Sequence, residues 1–68
     1  KDREFGRLEV LLKSILRAGT LELLREPNIP LAVIIDEYVE VAHAFYFENE
    51  PAFVNEVLDA IGKTLRTS

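Results

Sequence analysis

Sixty-eight residues leave room for one domain, and a core of that size is marginal because only about 60% of the unfolded chain's surface is buried on folding. The absence of cysteine excludes a disulfide or thiolate metal site as the staple, which leaves self-association or a further stretch of polypeptide to complete the fold. Eight basic against twelve acidic residues give a net charge of −4, which excludes a nucleic-acid binder that works by charge alone.

With 49% hydrophobic and 29% charged residues the chain reads as a folding, globular one. No apolar run approaches the roughly 20 residues that span a bilayer, and the opening KDREFGRLEV lacks the apolar stretch of a signal peptide. These features predict a cytoplasmic protein with no membrane contact.

The first segment, from about Arg3 to Arg25, sets Phe5, Leu8, Leu11, Leu12, Ile15, Leu16, Gly19 and Leu23 on one side at helical spacing. Arg3, Arg7, Lys13 and Arg17 gather opposite, as a basic stripe that is a solvated face by default and a binding face by exception. Val10, Leu21 and Leu24 fit neither side, and three such residues along one edge suggest a second covered surface. Gly6 marks a frayed or late helix start, while Gly19, costing about 1 kcal/mol relative to alanine in a helix, fits the close approach of a neighbour.

Arg25-Glu26-Pro27-Asn28-Ile29-Pro30 breaks the helix, since Pro27 disfavours helical backbone at Glu26 and Pro30 suits the first turn of a new helix. So short a link predicts antiparallel neighbours. The second helix, Pro30 to Phe47, carries the widest apolar band: Leu31, Ile34, Ile35, Tyr38, Val39, Val41, Ala42, Phe45 and Tyr46, with Asp36, Glu37, Glu40 and His43 opposite. A band that wide predicts a position between at least two other helices.

Glu48-Asn49-Glu50-Pro51 then offers Asn49 as the N-cap of a third helix, with Glu50 and Pro51 in its first turn. Val54, Val57, Leu58, Ile61 and Leu65 form a narrow apolar stripe, Phe53 lies on a flank with Ala60 and Thr64, and Thr67 and Ser68 should fray. The reading is all-α: an antiparallel three-helix bundle over about 3–25, 30–47 and 50–66, one domain spanning 1–68.

Catalytic signals are weak. Glu40 and His43 have the Glu-x-x-His spacing of di-metal bundles, but such a site needs a second copy of the motif and two more carboxylates, and the chain has one histidine. Ser14 and Ser68 lack a base in sequence context, and three scattered glycines form no phosphate loop. Neither an enzyme nor a bound cofactor is expected.

More informative is FYFENEPAF, which gathers Phe45, Tyr46, Phe47 and Phe53 around one corner with Asn49 among them. Unpaired RNA bases are held by such stacking surfaces and side-chain hydrogen bonds. Phe45 and Tyr46, being in the apolar band, are expected to close the core instead; Phe53, off its stripe, is evenly balanced between the two roles.

Four segments in register carry a resemblance that covers most of residues 7–66: Leu16-Arg17-Ala18-Gly19 with Leu21-Glu22-Leu23-Leu24, then Asn28-Ile29-Pro30, then Val33 through Ala42, and Phe53-Val54-Asn55-Glu56-Val57-Leu58-Asp59-Ala60-Ile61. The chain resembles the C-terminal part of the NusB family of bacterial transcription antitermination factors. That resemblance implies an all-α fold, a role in antitermination and ribosomal RNA synthesis, and two partners: NusE, which is the small-subunit ribosomal protein S10 in its transcriptional role, and the boxA element of nascent RNA. By the same resemblance the RNA-contacting phenylalanine falls on Phe53, the polar residue opening its helix on Asn49 where many relatives have Asp, and the arginine of a Leu-Arg motif on Arg17. Leu12 and Lys13, in the half of the fold that meets NusE, are the candidates for protein contact.

Two departures stand out. The family's N-terminal helical half, with an arginine-rich start that grips RNA, has no counterpart in these residues, and Glu56 stands where relatives often carry glycine. Without that half, Val10, Leu21, Leu24 and the wide second-helix band predict a homo-oligomer, formed by an isologous contact between copies. Two other readings are a self-assembling helical scaffold without RNA binding, and the NusB-like domain of an rRNA cytosine methyltransferase.

Overall fold

The computed structural model describes residues 2–66, with side chains described from Gly6 onward. Three helices follow in order: α1 (Asp2–Arg25), α2 (Leu31–Phe45) and α3 (Glu50–Arg66). The expected fraying of Thr67 and Ser68, and the side chains of Arg3 and Phe5, lie outside the described residues.

Contacts between the helices set their directions. Tyr38 of α2 donates to a Glu22 carboxylate oxygen of α1 at 2.7 Å, and the Tyr46 hydroxyl, just past α2, donates to the Leu8 carbonyl. Late residues of one helix thus meet early residues of the other, and the pair is antiparallel. Gly19 faces Leu58, while Gly62 faces Leu23 and Leu31, so α3 runs alongside α1 and against α2. Each helix touches both others, and α2 lies between two neighbours as its apolar band requires.

The core is built from all three: Ile15 and Leu23 from α1, Ile34, Ile35 and Ala42 from α2, Tyr46 from the following turn, and Val54 and Leu58 from α3. Gly19 is what lets α3 approach. A β-carbon there would lie 2.8 Å from Leu58 Cδ1 and 3.0 Å from Leu58 Cδ2, closer than such atoms pack.

Helix ends follow from the prolines and from one arginine. α1 stops before Pro27, leaving carbonyls without helical partners. The Arg66 guanidinium, at the far end of α3, donates to the Glu26 carbonyl at 2.8 Å and to the Ile29 carbonyl. Pro30 sits one residue earlier than expected, as the N-cap of α2 with φ −57° and ψ 144°, and its carbonyl accepts from the Val33 and Ile34 N–H groups. The helix still benefits from a residue with no N–H to satisfy.

Several expectations need correction. The second helix ends at Phe45 instead of Phe47, because Tyr46 turns to extended backbone at φ −126° and ψ 146° and swings its ring into the bundle. Phe45 is consequently left half-exposed beyond the last covered turn, and Val41, at the edge of the predicted band, is exposed too. Leu8, placed on the inner side of α1, is also exposed. Gly6 does not delay α1, which is helical from Asp2. Among the described residues no helix is long and apolar enough to cross a membrane.

Candidate functional site

The corner between α2 and α3 is a four-residue turn with one ring inside it and three around it. Tyr46 is the inner ring, buried and tied through its hydroxyl to the Leu8 carbonyl of α1. Burial pushes its phenol pKa up, and the Glu50 carboxylate adds to the effect. At working pH it is therefore a neutral hydrogen-bond donor, which is what a carbonyl partner needs.

Around that anchor the other rings face water. Phe47 is 95% exposed at the tip of the turn, Phe45 is half-exposed at the end of α2, and Phe53 is 46% exposed on the first turns of α3. Phe53 is half covered and half open, which holds the ring in place and leaves part of it available. Asn49 is exposed immediately before α3 and its carbonyl accepts the Phe53 N–H at 2.9 Å, so the two residues share one turn. Its position, directly before the first helical residue, is the N-cap place expected from the sequence.

This corner is acidic. Glu48, Glu50 and Glu56 lie in or beside it, and no lysine or arginine occurs between residues 44 and 56. Aromatic faces and an amide side chain can stack on and hydrogen-bond to a base; they cannot neutralise a phosphate.

Arg17 does not complete the set. It is exposed, but it lies two positions from Gly19, which faces α3 and α2, and is therefore turned about 200° away from them around the helix. Leu12 and Lys13 also part company. Leu12 packs against the core, whereas Lys13 is exposed and stands 4.0 Å from Glu9 across one helical turn, a pair worth at most a few tenths of a kcal/mol. Glu40 and His43 both point to solvent.

Phe45, which the sequence pattern assigned to the helix band, joins Phe47 and Phe53 as an exposed ring of this corner. A turn of four residues between α2 and α3 cannot bury three consecutive rings, and a period-based reading of the FYF triplet has no way to choose the one that turns inward.

Comparison with known proteins gives this geometry its family. The model of the NusB family matches residues 1–63. Over 65 residues the chain is 52% identical to the transcription antitermination protein NusB of Allorhizobium ampelinum, a match covering 96% of this chain and 41% of that protein. It is 51% identical to the protein of the same name from Rhizobium rhizogenes, with the same coverage. For the one from Agrobacterium fabrum the figure is 48% over 66 residues, covering 97% of this chain and 40% of that protein. The chain thus spans about two-fifths of the length of the relatives it matches. No solved structure gives a significant match. A family model that takes in nearly the whole sequence, on a fold that is entirely helical, decides the matter: the chain belongs to the NusB family.

Proposed function

We propose that this chain is an RNA- and protein-binding module of a cytoplasmic transcription antitermination factor, one that joins ribosomal protein NusE and boxA RNA during rRNA synthesis. The observation that carries the reading is Phe53, a half-covered ring beside the exposed Asn49 on the opening turn of α3. In this reading Phe53 stacks on an unpaired base and the Asn49 side chain hydrogen-bonds to its edge. Arg17 serves the phosphates of a strand that continues across α1, since it is turned away from the nucleotide on Phe53. Lys13, with Leu12 behind it, lies on the side offered to NusE.

The acidic corner has a consequence for the mechanism. Stacking and hydrogen bonding at Phe53 and Asn49 supply selectivity for single strands, while most of the salt-dependent affinity must come from cations outside 44–56 or from the protein partner. Phe53→Ala should weaken boxA binding by about 1–3 kcal/mol, the worth of one stacked base, as read by gel-shift titration in the presence of NusE. Unchanged affinity in the chain restored to the length of its relatives would remove Phe53 from the site.

A further inference from the structure

The residues that join α2 to α3 are unevenly held. Tyr46 is 5% exposed, whereas Phe47, Glu48 and Asn49 all face water. Tyr46 is also fixed at two points: its backbone N–H donates to the Ala42 carbonyl of α2 at 2.9 Å, and its hydroxyl donates to the Leu8 carbonyl of α1. On the other side of the turn, Pro51 and Val54 are buried and seat the opening of α3 on the core. Phe53 goes with that opening.

Asn49 stands between these two anchors. Its carbonyl accepts the Phe53 N–H at 2.9 Å, which joins it to α3. Toward α2 it follows Tyr46 after only Phe47 and Glu48, two exposed residues, so the start of that short path is set by how the Tyr46 ring sits. A ring held by apolar packing alone can slide or tilt. A hydrogen bond to a helical carbonyl is directional, and it sets the depth and angle of the ring.

We propose that the Tyr46 hydroxyl positions Asn49, fixing the turn so that the amide side chain meets the edge of the base stacked on Phe53. This rests on the RNA reading given above and adds to it a residue that touches no nucleotide. Hydrogen bonds to a base edge weaken steeply with angle, and a site of this kind tolerates a displacement of only about 0.5 Å. Stacking on Phe53 is tolerant of base identity. Loosening the turn therefore costs preference for one sequence more than it costs grip on single strands.

Tyr46→Phe keeps the ring and removes only the hydroxyl, and the chain restored to the length of its relatives is the place to test it. Hydrogen exchange at the Phe53 amide reports the bond to the Asn49 carbonyl. It should quicken in Tyr46→Phe by a larger factor than exchange at Ile34 and Leu58, whereas a merely structural loss would quicken those core amides at least as much. Gel-shift titration in the presence of NusE then compares boxA RNA with a scrambled RNA of the same length. Tyr46→Phe should weaken boxA binding about 3- to 10-fold, the worth of one hydrogen bond, and narrow the preference over scrambled RNA by the same factor. In an Asn49→Ala background the same change should cost nothing further. Equal loss in both backgrounds, or exchange at Phe53 that quickens no more than in the core, overturns the proposal and leaves the site standing. Wild-type affinity in both Asn49→Ala and Phe53→Ala would instead remove the site itself, and the role of Tyr46 with it.

Discussion

Tyr38 is the residue whose chemistry is most altered by the fold. Its hydroxyl donates to the Glu22 carboxylate at 2.7 Å, and that bond, followed by burial and by the charges of Glu22 and Glu37, pushes its pKa from 10.0 up to about 12. The folded state therefore keeps a proton that the unfolded chain gives up. Stability from this bond is intact below pH 10 and is lost as the pH rises toward 12. Removing the hydroxyl with Tyr38→Phe should lower stability by about 1–2 kcal/mol at neutral pH, in the range of hydrogen bonds to charged groups. The part of the alkaline loss that differs between wild type and Tyr38→Phe in denaturant titrations belongs to Tyr38, and identical curves would remove it. Gly19 offers a second test. Alanine gains about 1 kcal/mol of helix propensity but drives a methyl onto the fully buried Leu58, an overpacking worth about 1–3 kcal/mol. Gly19→Ala should be net destabilising by about 1 kcal/mol in urea unfolding, and a more stable variant would show that Leu58 can move aside. Of these residues, Gly19 was legible because a glycine inside a helical pattern asks for a neighbour. The Tyr38–Glu22 bond was not, since it joins positions on two helices whose register no local pattern sets.

Among the elements, α1 and α3 came through from their periodicity nearly intact, because their apolar residues recur at the spacing that one buried stripe needs. The α2 terminus was misjudged for a physical reason: Phe45, Tyr46 and Phe47 are all apolar enough to continue the band, and what stops the helix is the gain from burying Tyr46 against α1. Phe53 was half legible, as an off-stripe ring on a clean stripe, and its partial exposure is what the corner required. The largest long-range effect hidden from the sequence is Arg66. It reads as a cation in the last turn of α3, where the helix dipole favours it, yet it braces the turn after α1 by donating to the carbonyls of Glu26 and Ile29. Arg66→Ala should destabilise by about 2 kcal/mol through loss of its charge-assisted bonds to backbone carbonyls. Arg66→Lys should restore little, because one ammonium cannot reproduce a planar fork. Equal melting temperatures for Arg66→Lys and wild type would show that charge alone suffices.

As a whole the molecule is a slender rod of 42 × 16 × 15 Å, so almost every core side chain lies one layer from solvent. Among the described residues eight buried hydrophobic side chains join the three helices, and single changes in that set should be felt along the full length. Within this frame the tether from Tyr46 to the Leu8 carbonyl has a mechanical meaning. The aromatic turn is bolted to α1 only one helical turn from Leu12 and Lys13, so a grip on that stretch of α1 pulls on the platform that carries Phe47 and Phe53. Under the function proposed above, docking at Lys13 and docking at Phe53 would then share a single rivet.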